Sequence, residues 1–415
     1  MELKPGHKQT EVGMVPEDWD AQPLNGLVSI THGFAFLSTY FASNGAYRLT
    51  TPGHFYERGG FRHIGEKQKF YTGQVPSDYV LEPGDLIVAM TEQADGLLGS
   101  AAFIPAADTY LHNQRLGRVR TLSSRINSAY LFWVFNSTSY RTSVRETAAG
   151  TKVKHTSPEK LLEIPVRLPP TFEQRAIAAA LSDVDALIGG LDQLIAKKRD
   201  IKQATIQQLL TGKQRLPGFN AEWKKGRVID LADVDPENLN GSTNPEYRFN
   251  YIALEDVERG ALKHYSQQLF RTAPSRARRV LRQGDILVST VRPNLQSHLL
   301  IRHRVRDFVC STGFAVVRCK PHLADPHYVY YHLFSGGVSR QIDALLTGSN
   351  YPAINSGDVR GLEIPWPPLA EQSAIASVLS DMDSEITVLE QKRDKTRDLK
   401  QGMMQELLTG RIRLV

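Results

Sequence analysis

The sequence predicts an α+β fold in which two mixed α/β globular domains are separated by two long helices that form an antiparallel coiled coil. Three observations predict it: an internal repeat of about half the chain, a heptad pattern of apolar residues in each copy of the repeat, and strand-like segments between the copies. The order along the chain is therefore globular domain, helix, globular domain, helix, with a pseudo-two-fold relation between the halves.

An internal repeat divides the chain of 415 residues. Its offset is constant, because 371 − 173, 379 − 181 and 407 − 209 each give 198. Self-similarity at one fixed offset indicates a duplicated unit, and a period this long excludes a solenoid of short repeats. The matching segments are EQRAIA at 173–178 and EQSAIA at 371–376, LSDVD at 181–185 and LSDMD at 379–383, and LLTG at 209–212 and at 407–410.

Each copy of the repeat carries an a/d heptad seam, in which apolar side chains recur at alternating steps of four and three. The seam weakens where Lys198 and Arg393 take core positions, and Leu399, Met403 and Leu407 then resume an apolar stripe. Two separate helices, each packed on its own domain, would also explain the pattern, but the matched seams and the single offset favour pairing. The seam residues are Ile177, Leu181, Val184, Ile188, Leu191 and Ile195 in the first copy and Ile375, Leu379, Met382, Ile386 and Leu389 in the second.

Prolines and glycines mark the ends of both helices. The pairs Pro169-Pro170 and Pro367-Pro368 cannot continue a helix backward, and glycine at 212 and at 410 suits the position just past a helix end. A first helix over about 172–211 would be roughly 60 Å long at ~1.5 Å per residue. The predicted segments are 1–168 for the first globular domain, 169–212 for the first spacer helix, 213–366 for the second globular domain and 367–415 for the second spacer helix.

The two globular regions have diverged but keep a common frame. Both are rich in Val, Ile, Tyr and Phe and are punctuated by Gly and Pro, as expected of mixed α/β domains with short strands. A Gly-Asp turn leads into a predicted buried strand at 84–88 in the first region and at 284–288 in the second. A frame that is kept while the stretches between differ is typical of two copies that each recognise something different.

Composition narrows the class of protein. A net charge of +6 and a pI near 9.1 favour a polyanionic partner only weakly. The cysteines, Cys310 and Cys319, lack the spacing of a disulfide framework or a zinc site. No apolar run approaches the ~18 residues of a membrane span, and the N-terminus lacks a signal-peptide core. A cytoplasmic protein without membrane contact is therefore expected.

The sequence holds no recognisable catalytic constellation, which predicts a chain that is not an enzyme. It has no GxxxxGK[ST] phosphate loop and no HExxH pair, and we expect no metal ligands. Glu390-Gln391-Lys392, with Asp381 and Asp383 upstream, has a nuclease-like spacing, but it lies inside the heptad helix. Charges at such positions typically form a solvated face.

Three segments together resemble the specificity subunit of type I restriction–modification systems. They are GMVPEDW at 13–19, PGDLIV at 83–88, and the double Pro-Pro-x-x-Glu-Gln-x-x-Ile helix with its Leu-Leu-Thr-Gly end. The resemblance covers essentially the whole chain, and the duplicated helix is its most specific part.

The resemblance implies a DNA-recognition subunit. Each globular region would be a target recognition domain that reads one half of a bipartite, asymmetric double-stranded DNA sequence, and the helix pair would set the spacer between the half-sites. The helices would also dock two adenine-N6 methyltransferase subunits and, through them, two motor-nuclease subunits. S-adenosylmethionine would belong to the methyltransferase, and ATP and Mg²⁺ to the motor, so this chain would bind no cofactor. The implied spacer and docking residues are Glu173, Gln174, Ile177, Leu181, Val184, Ile188, Leu191, Glu371, Gln372, Ile375, Leu379, Met382, Ile386 and Leu389.

Candidate base-reading residues lie in the loops that follow the two matched strands. Gln93 suits an adenine edge, Arg292 suits guanine, and Asn294 suits adenine. An ordinary polar loop is the alternative in both places. The full set is Thr91, Gln93 and Asp95 in the first region and Ser289, Thr290, Arg292 and Asn294 in the second.

Candidate phosphate-binding residues lie in Gly-containing loops and in one basic run. The loops suit close approach of the backbone to DNA, and the run Arg276, Arg278 and Arg279 is expected to follow the DNA backbone, although such runs are often only solvated. A different class of function, a two-headed protein-binding adaptor on a coiled-coil stalk, is the alternative for the whole chain. The loop residues are Thr151, Lys152, Lys154, Ser349, Asn350 and Tyr351.

Overall fold

The computed structural model describes residues 5–92, 96–150, 153–348 and 352–414. The chain forms two compact units, of which the first comprises Met1–Leu191 with Lys392–Val415 and the second comprises Asp192–Gln391. Both boundaries fall inside the two long helices, so each unit contains one part of each helix.

The first unit combines short strands with helices. Its strands are β1 (His7–Thr10), β2 (Gly13–Pro16), β3 (Asp20–Gln22), β4 (Val28–His32), β5 (Phe41–Ala42), β6 (Tyr47–Leu49), β7 (Phe70–Tyr71), β8 (Val80–Leu81), β9 (Leu86–Ala89), β10 (Ala101–Phe103), β11 (Thr109–Leu111), β12 (Leu116–Thr121) and β13 (Val166–Leu168). Its helices are α1 (Ser128–Phe135), α2 (Thr138–Thr147), α3 (Pro158–Glu163) and the first part of α4 (Thr171–Leu209).

Two sheets organise the first unit. One is antiparallel with the order β10-β9-β12-β4, and the other has the order β5-β7-β6-β11-β8, with β11 parallel to β6. The main core joins the first sheet to the helices, since Val88 and Tyr130 belong to the same buried cluster as Ile177 and Leu181 of α4. The start of the long helix is thus part of the core of the globular region.

The second unit repeats this plan. Its strands are β14 (Lys224–Arg227), β15 (Ala232–Val234), β16 (Arg248–Ile252), β17 (Val257–Glu258), β18 (Ala261–Leu262), β19 (Ser266–Leu269), β20 (Ala277–Leu281), β21 (Ile286–Ser289), β22 (Leu299–Leu300), β23 (Phe308–Ser311), β24 (Phe314–Cys319) and β25 (Glu363–Trp366). Its helices are α5 (Val228–Leu231), α6 (Pro326–His332), α7 (Gly336–Leu345), α8 (Ser356–Gly361) and the first part of α9 (Leu369–Leu407).

The sheets of the second unit have the orders β15-β24-β21-β22 and β19-β16-β23-β20, with β16 parallel to β23. In each unit the strand after the Gly-Asp turn is central to the antiparallel sheet, as β9 and as β21. The turn needs glycine in both places, because Gly84 and Gly284 have φ angles of 86° and 87°. The strand predicted after each turn is confirmed as buried.

The two long helices run antiparallel within the first unit. Asp185 of α4 accepts a hydrogen bond from the ammonium group of Lys400 of α9 at 2.5 Å. Glu173, three turns earlier in α4, pairs with Arg413, which lies beyond the end of α9. Residues later in α4 therefore pair with residues earlier in the C-terminal segment, as antiparallel helices require.

The same direction of pairing holds within the second unit. Lys202 of α4 pairs with Asp383 of α9, and Arg215, beyond the end of α4, pairs with Glu371 at the start of α9. These two pairs are the counterparts, at the repeat offset, of the pairs in the first unit. The prediction of paired antiparallel helices is confirmed.

The predicted seam residues are largely buried. Helix α4 begins at Thr171, directly after the proline pair, and ends at Leu209, two residues before the predicted end. Gly212 and Gly410 have φ angles of 68° and 72°, as the predicted helix-end glycines require. Val184, Met382 and Leu389 are half-buried, whereas the buried seam residues are Ile177, Leu181, Ile188, Leu191, Ile195, Ile375, Leu379 and Ile386.

The stripe expected through Leu399 is wrong, because that side chain is 58% exposed. Lys400 turns inward instead, with a side chain only 19% exposed and its ammonium group 4.8 Å from the ring centre of Trp133. The first helix shows the same exchange, where Ile201 is 42% exposed and Lys202 is 22% exposed. A long aliphatic stem buries apolar area as leucine would, while the ammonium group keeps an ion partner and an aromatic face.

Candidate nucleic-acid interface

Two loops that the sequence singled out separately lie side by side in the first unit. The loop after β9 and the loop after α2 form an isolated bridge between Thr91 and His155. The amide of Glu92 donates to the carbonyl of Lys154 at 2.9 Å, and Thr156 donates to Met90 at 3.0 Å. The candidate base-reading loop and the candidate phosphate loop therefore form one surface.

The second unit brings the equivalent loops together in the same way. Val291 bridges Ala353, and the amide of Arg292 donates to the carbonyl of Pro352 at 2.7 Å. The amide of Ile354 donates to the carbonyl of Thr290 at 2.9 Å. One backbone frame thus presents different side chains in the two units.

A glycine shapes the second loop of each pair. Gly150 has a φ of 101°, and a Cβ atom there would collide with the carbonyl oxygen of Val153. Gly348 has a φ of 86°. Some of the predicted DNA-binding residues lie outside the described residues, including those that directly follow these two glycines. The candidates concerned are Gln93, Asp95, Thr151, Lys152, Ser349, Asn350 and Tyr351.

The described candidates of the second unit differ in exposure. Arg292 and Asn294 are exposed on the loop, and Arg292 has a left-handed backbone with a φ of 48°. Ser289 and Thr290 are buried, and their hydroxyl groups donate to the carbonyls of Val291 and Gly313, at 2.8 Å each. These two hydroxyls hold the loop in place, and a contact of theirs with DNA stays a prediction.

The remaining candidates divide in the same way. Lys154 and Arg276 are exposed, and Arg278 is half-buried with its guanidinium carbon 5.0 Å from the ring centre of Phe270. Arg279 points inward and forms an ion pair with Asp235, where both side chains are nearly covered. The basic run is therefore split between a solvent-facing part and a structural part.

Buried glutamates mark the start of both long helices, and the sequence did not reveal how they are paired. Glu173 is fully buried, and its carboxylate accepts bonds from the indole of Trp19 at 2.9 Å and from Arg413 at 2.7 Å to each oxygen. Arg413 also contacts Asp18 at 2.8 Å. Burial of a carboxylate requires such partners.

The second unit builds the same cluster around Glu371. Its carboxylate accepts bonds from Arg215 at 2.6 and 2.7 Å and from the indole of Trp223 at 3.1 Å. The repeat extends beyond Leu-Leu-Thr-Gly to Arg215-Leu216 and Arg413-Leu414 at the same offset. That extension is the signal by which both arginines could have been found.

The family model for the type I restriction modification DNA specificity domain matches residues 16–200 and 221–396. The chain belongs to this family. One match falls in each copy of the repeat, so the resemblance to type I specificity subunits that the sequence showed is confirmed. Subunits of this family recognise DNA sequence and are non-catalytic.

Curated relatives extend over most of this specificity subunit. The putative type I restriction enzyme MjaX specificity subunit of Methanocaldococcus jannaschii is 24% identical and covers 98% of this chain and 96% of its own length. The EcoBI specificity subunit of Escherichia coli is 27% identical and covers 87% of this chain and 78% of its own length. Both relatives carry the same kind of name, and both alignments span the two units.

Solved structures show the same fold. The S subunit of a type I restriction–modification system from M. genitalium superposes with a TM-score of 0.60 at 12% identity and covers 98% of each chain. A second solved structure concerns complex assembly and conformational transition of the type I R-M system, and one of its chains superposes with a TM-score of 0.56 at 17% identity. The alignment covers 96% of this chain and 99% of that chain.

One glutamine at the start of each long helix of the specificity subunit joins that helix to the globular region before it. Gln174 is fully buried, donates to the carbonyls of Arg125 and Pro169 at 2.8 Å each, and accepts from the amide of Asn127 at 2.9 Å. Gln372 makes the equivalent bonds in the second unit. It donates to the carbonyls of Leu323 and Pro367 and accepts from the amide of Asp325. The Glu-Gln motif is thus a structural joint at the start of each helix.

Asp383 connects four elements of the second unit. The expectation that it lies on a solvated face of the helix is therefore wrong. Its carboxylate contacts Lys202 of α4, accepts from the hydroxyl of Tyr331 of α6 at 2.7 Å, and lies 3.8 Å from Arg302, which follows β22. Lys202 also lies 5.5 Å from the ring centre of Tyr331. The recognition frame is therefore tied to both helices through one carboxylate.

Two further properties hold for the part of the specificity subunit that the structure describes. Within residues 5–92, 96–150, 153–348 and 352–414, no three His, Cys, Asp or Glu side chains are grouped so that they could hold a metal ion. Across the same residues, no helix combines the length and apolar character needed to cross a bilayer.

Proposed function

We propose that each unit reads one half of a bipartite, asymmetric DNA target. The observation that carries this proposal is the repeated loop pair, which projects from one backbone frame and bears different side chains in the two units. Arg292 and Asn294 are exposed on this surface in the second unit, and Lys154 is exposed in the first. Side chains of these types read base edges and contact phosphates.

The helix pair sets the spacing of the two half-sites. Half-site spacing in bipartite recognition follows from the geometry of the protein that holds the readers. Both helices are continuous over 39 residues. The side-chain hydrogen bonds of Gln174 and Gln372 join each globular region to the helix that follows it.

Exposed apolar residues on the helices form the docking surface for methyltransferase subunits. Leu194 and Ile201 lie one heptad apart on α4 and are 39% and 42% exposed, while the seam beside them is already filled. Two adenine-N6 methyltransferase subunits dock on the helices and carry two motor-nuclease subunits. S-adenosylmethionine then belongs to the methyltransferase, and ATP and Mg²⁺ belong to the motor.

Domain exchange tests the assignment of one unit to one half-site. Residues 217–363 are replaced by the corresponding segment of a relative with a different target, and methylated adenines are mapped across a genome by single-molecule sequencing. We expect one half-site to change and the other to stay. The matched control exchanges residues 15–165 and should change only the other half-site. If both half-sites stay unchanged in the first exchange, the assignment fails.

A binding assay tests the docking surface. Leu194→Glu and Ile201→Glu place charges on it and should weaken co-purification with the methyltransferase subunit. Leu122→Glu, at a side chain that is 63% exposed in the first globular region, is the control and should leave co-purification unchanged. Equal retention by all three variants would exclude this surface.

A further inference from the structure

A second short motif recurs in the two globular regions. Residues 57–63 read ERGGFRH and residues 258–264 read ERGALKH, at an offset of 201 because 258 − 57 gives 201. The Gly-Asp turns that follow, at Gly84 and Gly284, differ by 284 − 84, which gives 200, so the two segments are equivalent in the frame of the units. Glutamate, arginine, glycine and histidine thus keep their places, whereas the candidate base-reading loops have diverged.

Both copies of this motif form the tip of a hairpin. In the second unit β17 pairs with β18 through a two-residue loop, Arg259-Gly260, whose φ angles are 42° and 88°. In the first unit the two sides of the hairpin are joined by a bridge between Phe55 and Phe61. Arg58 and Arg259 therefore each lie at a tip, directly before a glycine of positive φ.

The first hairpin is held against the candidate base-reading loop of its own unit. Phe55 is fully buried in one cluster with Ala89, the last residue of β9 before that loop. Arg141 of α2 donates to the carbonyl of Glu57 at the tip, at 3.3 Å, and to the carbonyl of Leu98 in the loop, at 2.7 Å. The tip and the loop are therefore parts of one surface.

The second hairpin has the same position in its unit. Val257 is buried in one cluster with Leu299, which directly follows the loop after β21. Leu254, just before the hairpin, would lie 3.6 Å from a Cβ atom on Gly313, whose carbonyl accepts the hydroxyl of Thr290 at 2.8 Å. Each unit thus places one hairpin beside its candidate base-reading loop.

The glycine of each tip packs against its unit, whereas the arginine faces solvent. A Cβ atom on Gly59 would collide with the side chain directly after α1, and one on Gly260 would collide with a tyrosine hydroxyl of α6. Arg58 and Arg259 are exposed, and no hydrogen bond or ion pair engages either guanidinium group within the part of the chain that the structure describes. Packing explains the glycines and leaves the arginines unexplained.

The second tip keeps its arginine in a backbone conformation that arginine disfavours. Positive φ at both positions of a two-residue hairpin loop selects Asn-Gly or Gly-Gly, because a Cβ atom makes left-handed backbone costly. Arg259 nevertheless has a φ of 42°. Residues held in such conformations cluster at functional sites, and a ligand of the guanidinium group would explain why arginine stands there.

The identity of the two arginines indicates what they bind. The half-sites of an asymmetric target differ in sequence, and the candidate base-reading loops differ with them. Phosphates, by contrast, lie at every position of a duplex and carry no sequence information. A guanidinium group donates two parallel hydrogen bonds to a phosphate. A cation that both units keep therefore suits the feature that both half-sites share.

We propose that Arg58 and Arg259 each bind a DNA phosphate beside the half-site of their own unit, as a sequence-independent contact next to the base-reading loop. The proposal rests on the proposed function, because it requires DNA on the surface that carries the loops. An acidic surface of a methyltransferase subunit is the alternative partner for the same cations, and the experiment separates the two partners.

The experiment uses the complex of this chain with its methyltransferase subunits and the target found by methylation mapping. Kd is measured by fluorescence anisotropy for the target and for a scrambled duplex at several salt concentrations. Arg58→Ala and Arg259→Ala should each weaken binding to both duplexes about fivefold. Each should also lower the slope of log K against log salt by about 0.9, and the double variant should lower it by about 1.8.

Neutral phosphates locate each contact. In a series of target duplexes, one phosphate at a time is replaced by an uncharged methylphosphonate, and the positions that weaken binding of the wild-type complex are recorded. Arg58→Ala should abolish the effect at a position beside one half-site only, and Arg259→Ala should do so beside the other. This pairing of one arginine with one half-site follows from the placement of one hairpin in each unit.

Two control variants separate binding from folding. Arg259→Asn places the preferred residue before Gly260 in this turn, so its Tm should equal or exceed that of the wild type while its affinity for DNA falls as in Arg259→Ala. Arg120→Ala removes an exposed arginine near the end of β12 that lies away from the candidate base-reading loop. This variant should change neither Kd nor the salt slope.

Three results would overturn the proposal. They are an unchanged salt slope in either alanine variant, a loss of affinity confined to the target duplex, and retained DNA binding with failed co-purification of the methyltransferase subunits. The last result would assign the arginines to that partner. In each case a wild-type complex that prefers the target over the scrambled duplex would leave the proposed function intact.

Discussion

Arg413 forms a two-pronged ion pair with the fully buried Glu173, which lies 240 positions earlier in the chain. The pair fastens the C-terminal end of the chain to the start of the first long helix. Since Trp19 donates to the same carboxylate, three distant segments of the first unit meet at one charge. Loss of the arginine would leave that charge buried with a single donor.

Arg413→Leu should therefore lower the free energy of unfolding by about 3 kcal/mol, because breaking a buried ion pair leaves an uncompensated charge. Urea unfolding measures the change. Arg411→Leu is the control, because that side chain is 61% exposed and its nearest carboxylate oxygen is 3.6 Å away. Adding Glu173→Gln to the Arg413→Leu variant should recover part of the loss, since a neutral amide replaces the orphaned carboxylate. Equal effects of the two arginine variants would contradict this account.

The repeat made the helices predictable, but not the clusters that hold them. The heptad seam and the flanking Pro and Gly placed both ends of α4 within about two residues, because those signals are local. Burial of Glu173 could not be predicted in the same way, since it depends on Arg413 at the far end of the chain. The exposure of Leu399 has a second cause, because the neighbouring Lys400 turns inward to partners in other elements, Trp133 of α1 and Asp185 of α4.

The candidate site was predictable as loops and not as individual contacts. Matched strands located both loop pairs, because the Gly-Asp turns fix where each strand begins. The roles of Ser289 and Thr290 were not predictable, since their hydroxyls are taken up by carbonyls of neighbouring segments.

The ion pair between Lys202 and Asp383 should stabilise the second unit. Lys202→Glu and Asp383→Lys each place like charges together and should lower the free energy of unfolding, whereas the double variant should regain about 0.5–1 kcal/mol of the combined loss. Thermal and urea unfolding of the four proteins give this coupling energy. Lys225 and Glu363, which are 74% and 50% exposed, form the control pair and should show almost no coupling. A coupling as small as that of the control would refute the role of Asp383.

Buried histidines should make the second unit sensitive to mild acid. Burial lowers the pKa of His332 to about 3 and that of His298 to about 4, against an ordinary pKa of ~6.5. Between about pH 4 and pH 6.5 the unfolded chain binds more protons at these two histidines than the folded chain does. Their contribution to stability is therefore complete above about pH 6.5 and is lost as the pH falls toward 4. The loss is about 1.4 kcal/mol per pH unit for each histidine. Urea unfolding at several pH values should show this slope.

His332→Phe isolates one contribution to that slope. Phenylalanine can keep the edge-on ring contact with Tyr328, whose ring centre is 4.7 Å away. The variant should lose about 1.4 kcal/mol per pH unit from the slope, while His322→Asn, at an exposed position, should keep the full slope. An unchanged slope in the His332→Phe variant would show that this ring does not control the acid response.

Base-reading and phosphate-binding residues should differ in their effects on DNA binding. Arg292→Ala should relax selectivity at one base position at a cost of about 1–3 kcal/mol on the preferred sequence. Lys152→Ala should weaken binding to all sequences alike and reduce the slope of log K against log salt by about 0.9. Titrations of target and scrambled duplexes at several salt concentrations separate the two patterns. A uniform loss for Arg292→Ala would remove it from the base-reading set.

Lengthening the helix pair should lengthen the DNA spacer. Four residues inserted after Leu191 in α4 and four after Gln391 in α9 preserve the pairing within each unit, because both insertions fall at the boundaries of the units. Such an insertion adds about 6 Å at ~1.5 Å per residue, which corresponds to one or two base pairs at ~3.4 Å each. Insertion in α4 alone is the control, and it should destabilise the protein rather than give a new spacer. Mapping methylated sites would then show unchanged half-sites farther apart, and an unchanged spacer would mean that the helices do not measure the distance.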